Sequence, residues 1–212
     1  MKHTTRALLL ILTAAVAGCG AVEPASRNVP FDPAPTMQAP QAQSVQIADY
    51  SVRVPRSLRV SEANRYYPGG DIVWRGEPLG DRHQQVADIL KDGIEKLRGG
   101  AATGRAVTVD IEVKRFHALT EKARYTIGGV HAITFDLTVR DATTGQVMVP
   151  TKTIRADLEG FGGARAIAAE RNGITQKYRI TNHLARVLND ELTVPGGYQH
   201  ASQGVMGLIN EL

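Results

Sequence analysis

Val107-Thr108-Val109-Asp110-Ile111-Glu112-Val113-Lys114 alternates apolar and polar residues without a fault. Successive side chains of a strand point to opposite faces, so this stretch predicts a strand with one apolar and one polar face. Ile133-Thr134-Phe135-Asp136-Leu137-Thr138-Val139-Arg140 repeats the pattern. Asp141-Ala142-Thr143-Thr144-Gly145 then supplies turn residues, and Gln146 to Leu158 returns as the second arm of a hairpin. In that arm Val147 and Val149 are odd-numbered while Ile154, Ala156 and Leu158 are even, which predicts a bulge near Pro150.

Working outward, Val45 and Ile47, then Tyr50, Val52 and Val54, alternate with a one-residue slip between the sets, so a strand with a bulge near Asp49 is expected. Pro68-Gly69-Gly70 marks a turn before a short strand containing Ile72, Val73 and Trp74. Trp74 is expected to be buried between the sheet and the helix that follows. From about Gly80, Val86, Ile89, Leu90, Ile94 and Leu97 recur at helical spacing, and Gly99-Gly100 supplies the stop. One long helix is expected from about Gly163 to Leu192, carried by Ile167, Ile174, Tyr178, Thr181, Ala185, Leu188 and Leu192 and weakened at Gly173. The expected fold is α+β, a mostly antiparallel sheet in the order β-β-α-β-β-β-α with both helices on its apolar face.

The two ends of the chain read differently from this body. Lys2, His3 and Arg6 form a basic start, Ala7 to Val16 is an apolar run, and Val16-Ala17-Gly18-Cys19 closes it. A membrane span needs about 20 apolar residues, so this run reads as a secretory signal. Its last four residues match the bacterial lipobox, which predicts a lipoprotein signal peptide over residues 1–18 and acylation of Cys19. Each buried methylene contributes about 0.8 kcal/mol, and two or more acyl chains anchor firmly. Gly20 stands where an aspartate retains bacterial lipoproteins at the inner membrane, which favours an outer-membrane, periplasm-facing location. Residues 19–44 hold half the prolines (Pro24, Pro30, Pro33, Pro35, Pro40) and no apolar period, a Pro-rich tether with a reach of roughly 25–30 Å. The domain is expected over residues 45–192. A tail over 193–212 follows, in which Val205, Met206, Leu208, Ile209 and Leu212 would line one face of a short helix. That face would cover its own domain or dock on a partner.

The 212-residue composition, 42% hydrophobic and 22% charged, excludes a wholly disordered, collagen-like or coiled-coil chain. Removing residues 1–18 leaves 23 basic against 21 acidic residues, so composition gives no support to nucleic-acid binding. Cys19 is the only cysteine, which leaves no disulfide and no catalytic thiol. Candidate chemistry is sparse. Gly99 to Ala106 approaches a phosphate loop, but Arg105 and Ala106 replace its Lys and Ser/Thr, and it leads from helix to strand. Gly160-Phe161-Gly162-Gly163-Ala164-Arg165 reads as a strand-to-helix joint or as an anion cradle with Arg165. His83, His117, His131, His183 and His200 lack metal-ligand spacing, so no metal and no cofactor are expected. Asp71 and Glu77 beside Trp74 read as turn acids or as a carboxylate pair. No Gly-x-Ser-x-Gly elbow occurs. The expectation is a protein that is not an enzyme. The polar sheet face (Thr108, Asp110, Glu112, Lys114, Thr134, Asp136, Thr138 and Arg140) is either solvated or a binding surface.

With lipobox, Pro-rich tether, Val52-Arg53-Val54-Pro55 and Leu58, Trp74-Arg75-Gly76-Glu77-Pro78-Leu79 before a helix, the turn at Asp141 to Gly145 and a C-terminal helix, the chain resembles the ABC-type transport auxiliary lipoproteins. Ser61 to Gly70 and the tail from Thr193 depart from that pattern. The resemblance implies a membrane-anchored, periplasm-facing partner of an intermembrane lipid-transport system, with an envelope protein as partner and a phospholipid as ligand. The chain also resembles an uncharacterised group of bacterial lipoproteins with a domain of unknown function. The alternative reading is a structural or assembly lipoprotein of the envelope with no transport role.

Overall fold

The computed structural model describes residues 44–98 and 104–200. In chain order they form β1 (Val45–Arg53), β2 (Ile72–Val73), α1 (Arg82–Arg98), β3 (Arg105–His117), α2 (Glu121–Arg124), β4 (Gly129–Asp141), β5 (Val147–Arg155), β6 (Leu158–Gly160), α3 (Gly163–Arg171) and α4 (Gln176–Thr193). The class is α+β, with one six-stranded sheet ordered β1-β3-β4-β5; β2 extends the β1 side of β3, and β6 pairs with β4.

The sheet is mixed, which corrects the mostly antiparallel expectation. β3 and β4 are antiparallel, and so are β4 with β5 and β4 with β6, but β1 and β2 both run parallel to β3. A parallel pair needs a crossover, and α1 between β1 and β3 provides it. Period-2 alternation fixes which face a side chain takes and says nothing of strand direction. Both expected bulges are present. The register of β1 on β3 slips between Ile47 and Asp49, and Pro150 and Thr151 sit where β5 slips against β4 between Leu137 and Val139.

The long C-terminal helix is two helices. Gly173 takes a left-handed φ of +75°, which a residue with a Cβ adopts only with strain, and Thr175 then caps α4 by accepting from Tyr178 N. The break resets the helical phase. α4 buries Ile180, Leu184, Val187 and Leu188, whereas Ile167, Ile174 and Tyr178, expected on the apolar stripe, are exposed. α1 and α4 cross where Gly93 leaves room for Leu184 and the backbone of Thr181.

One apolar core lies between these helices and the sheet: Val107, Val109, Ile111 and Val113 of β3, Phe135, Leu137 and Val139 of β4, Ile89, Leu90 and Ile94 of α1, and Ile180, Leu184 and Leu188 of α4. Trp74 is fully buried, edge-on to Phe116 at 5.9 Å between centroids, and its Nε1 donates to Glu77 Oε2 at 2.8 Å. The neighbouring Leu79 is 81% exposed. Among the described residues, no helix is long and apolar enough to cross a membrane. Glu191 accepts from Lys152 Nζ of β5 and from Tyr198 N, and Tyr198 packs against the core. Residues just past α4 are thereby part of the packed body.

Candidate functional site

Cys19, the lipobox residues Val16, Ala17 and Gly18, and the tail residues Val205, Met206, Leu208, Ile209 and Leu212 all lie outside the described residues. So does most of the Gly99 to Ala106 stretch, whose Arg105 and Ala106 open β3.

The polar face of the sheet spends its charges on itself. Asp110 accepts from Ser51 Oγ at 2.7 Å and pairs with Arg140 at 3.1 Å. Glu112 pairs with Arg53 and, at 2.9 Å, with Lys114, which also reaches Asp136 at 3.1 Å. Asp136 further accepts from Thr153 Oγ1, and Thr138 bonds Thr151 across the strands. Cross-strand pairs of this kind stabilise a sheet modestly, and they leave each of these carboxylates with a cation or hydroxyl beside it.

The carboxylates flanking Trp74 are structural partners. Glu77 holds the indole N–H and Lys177 Nζ at 2.9 Å, tying the segment before α1 to α4, while Asp71 accepts from Arg59 N at 2.8 Å. His83 and His117 contact the Leu58 and Gly70 carbonyls at 3.0 and 2.8 Å. Among the described residues, no group of three or more His, Cys, Asp or Glu could hold a metal ion.

The glycines of the Gly160 to Arg165 joint are used for close backbone passage. A Cβ on Gly162 would overlap Gly128 N, and one on Gly128, whose φ is +75°, would lie 2.8 Å from Gly160 O. The β6–α3 joint and the turn after α2 thus run backbone against backbone. Arg165 turns to Glu159 at 2.6 Å and stacks on Phe161, 3.7 Å from the ring centroid. The other side of that bond network belongs to Arg179, 3.3 Å from the same centroid, whose Nη2 donates to Glu159 O at 2.7 Å.

Beside this joint, α2, β4, the joint itself, α3 and α4 enclose a half-open cleft. Its lining includes Arg124 of α2, His131 of β4, Phe161, Glu170 of α3, and Gln176 and Arg179 of α4. Ala166, Ala169 and Ile174 supply apolar wall. The enclosed space is about 10 Å³, enough for one water-sized group. Arg124 Nε lies 3.2 Å from Glu170 Oε1, and Tyr125 Oη donates to Glu170 Oε2 at 3.1 Å.

His131 is 1% exposed, and its Nδ1 accepts from Leu119 N at 3.3 Å, which makes Nε2 the protonated nitrogen. Burial, reinforced by the charges of Arg179, His183 and Arg124, pulls its pKa down to about 3, so the ring is neutral at physiological pH. Burial likewise lowers the pKa of Arg179. Gln176 is 5% exposed, and neither atom of its side-chain amide has a hydrogen-bond partner among the described residues. A buried primary amide without partners costs free energy, so its retention at this position calls for a reason.

Sequence reasoning did not single out Gln176, Arg124 or Arg179. A signal existed at Gln176, which stands four residues before Ile180 and eight before Leu184 on the buried stripe of α4. Reading α3 and α4 as one helix hid it.

A model described as a family of unknown function, DUF6778, matches residues 45–208. The chain belongs to this family. The match begins at the first residue of β1 and runs past α4. Nothing among the curated proteins matches. Among solved structures, the chain is similar to a Xanthomonas campestris protein of the DUF330 family model, at 13% identity and TM-score 0.39, covering 69% of this chain and 85% of that one. It is also similar to a candidate lipoprotein of Caulobacter crescentus CB15, at 17% identity and TM-score 0.30, covering 66% and 86%.

Proposed function

We propose that the protein is a lipid-anchored component of the bacterial envelope that works by binding a partner rather than by catalysis. The observation that carries this reading is the order of segments. Val16-Ala17-Gly18-Cys19 closes an apolar run, a Pro-rich stretch follows to Ser44, and the family match and β1 both begin at Val45. A lipidated Cys19 followed by about 25 tether residues holds a domain off the bilayer within reach of a second protein. Binding rather than chemistry is favoured by how the reactive groups are engaged. Glu170 is held by Arg124 and Tyr125, Glu77 by Trp74 and Lys177, and His131 is buried and neutral. The resemblance to the ABC-type transport auxiliary lipoproteins extends the proposal to a periplasm-facing protein of the outer membrane, partner to a lipid transporter subunit, with phospholipid as the transported ligand.

The anchor is tested by metabolic labelling with palmitate. Wild type incorporates label and Cys19→Ala does not, since no other thiol is present; label retained in the variant overturns the anchor. The transport role is tested by affinity capture from detergent-solubilised envelopes. Recovery of a transporter permease or substrate-binding subunit supports it, and recovery of envelope scaffold proteins alone favours an assembly role instead.

A further inference from the structure

The cleft at the head of α4 has features that the anchor and tether do not use. Gln176 lines it, and the donor and acceptor of its side-chain amide are both buried and both without a partner among the described residues. The lining carries two guanidinium groups, Arg124 and Arg179, against one carboxylate, Glu170, which is already paired with Arg124. Gln176 is also the first residue of an 18-residue helix, whose N-terminal end favours negative charge. The enclosed volume of about 10 Å³ admits one water-sized polar group, while Ala166, Ala169 and Ile174 supply apolar wall to the half-open cleft around it.

Each feature restricts the ligand. The Gln176 Nε2 group needs an acceptor and Oε1 needs a donor, so the ligand presents both within one short unit. Surplus positive charge selects an anionic acceptor, and charge-assisted bonds are the stronger kind. The apolar wall selects a small aliphatic substituent beside that unit. We propose that the cleft binds a carboxylate adjoining an amide N–H, the unit shared by the C-terminus of a peptide and a free N-acyl amino acid. One carboxylate oxygen takes the water-sized seat toward Gln176 Nε2, and the neighbouring N–H, which stays in the open part of the cleft, donates to Gln176 Oε1. This site does not depend on lipidation of Cys19, so it stands or falls separately from the anchor.

The test uses the full chain in detergent and titrates it calorimetrically with N-acetylalanine and with N-acetylalanine amide, which keeps the N–H and lacks the charge. The expected result is saturable binding of the acid, with the amide at least about tenfold weaker. Gln176→Leu and Arg179→Gln are each expected to weaken the acid at least about tenfold. Ala169→Leu, which fills the cleft from α3 and leaves Gln176 in place, is expected to do the same, so the result does not hang on one variant. Far-UV circular dichroism checks that each variant keeps its fold. A tetrapeptide ending in alanine distinguishes the sources. Tighter binding than N-acetylalanine identifies a peptide C-terminus, and equal binding identifies a free N-acyl amino acid. No saturable binding of the acid, equal affinity for acid and amide, or undiminished binding by both Gln176→Leu and Ala169→Leu overturns the proposal and leaves the cleft as a seat for a single water.

Discussion

The core beneath α1 and α4 and the cleft end around α2, β6 and α3 are built on opposite rules. In the core, the fully buried side chains are apolar, one unpartnered hydroxyl, that of Thr181, lies buried beside them, and the one buried indole has its N–H bonded to Glu77. At the cleft end a histidine is buried with its pKa depressed, an amide is buried with neither atom paired, and two loops pass so closely that only glycine fits. The first arrangement is what stability alone would select. The second carries desolvation and strain that a merely stable domain would shed, and such departures from local consistency concentrate where a protein works.

The largest expected effect tests the core side of this contrast. Trp74→Ala removes a fully buried side chain and its contact with Phe116, and is expected to destabilise by about 3–5 kcal/mol in urea unfolding. Native Trp fluorescence at a blue-shifted wavelength checks the burial directly, because Trp74 is the only tryptophan. Gly162→Ala tests the close passage at the cleft end. Its Cβ meets the backbone of Gly128, which cannot rotate away, so a loss of up to about 3 kcal/mol is expected. A neutral outcome would show that the joint has slack and would blur the comparison.

Acid sharpens it. His131 ionises at its ordinary value in the unfolded chain and at about 3 in the folded one, so below pH 6.5 the unfolded state takes up the proton first. Stability therefore falls as pH drops, by about 2 kcal/mol at pH 5 from this group, and is flat above neutrality. His183, pulled down to about 4 mainly by burial, adds in the same direction. His131→Phe is expected to remove its share of the slope between pH 5 and 7 in urea titrations. Smallest is Thr175→Ala, which deletes the cap of α4 and is expected to cost about 1 kcal/mol.

Much of the fold was legible because alternation reports faces. The apolar faces of β3 and β4, the hairpin at Asp141 to Gly145, both bulges and the burial of Trp74 all follow from residue pattern. Strand direction was not legible, since a polar-apolar strand looks the same parallel or antiparallel. α1 made β1 parallel to β3, and that is a property of the connection. The helix break was visible only as a weakness at Gly173; the left-handed turn there together with the Thr175 cap turned it into an end and a new start. The cleft was least legible. Arg124, His131, Phe161, Glu170, Gln176 and Arg179 come from α2, β4, the β6–α3 joint, α3 and α4, so no local spacing announces them together, and only Gln176 carried a signal, its place on the buried stripe of α4.

The contrast between the two regions rests on Gln176 having no partner among the described residues. Thermal unfolding of Gln176→Leu, followed by circular dichroism on the ligand-free protein, tests this most directly. Replacing an unpaired buried amide by an apolar side chain of similar size removes a desolvation cost, so the midpoint is expected to stay level or rise by a few degrees. A midpoint lowered by several degrees would mean that Gln176 holds the cleft end together, and the distinction between a stabilising core and a binding end would fail.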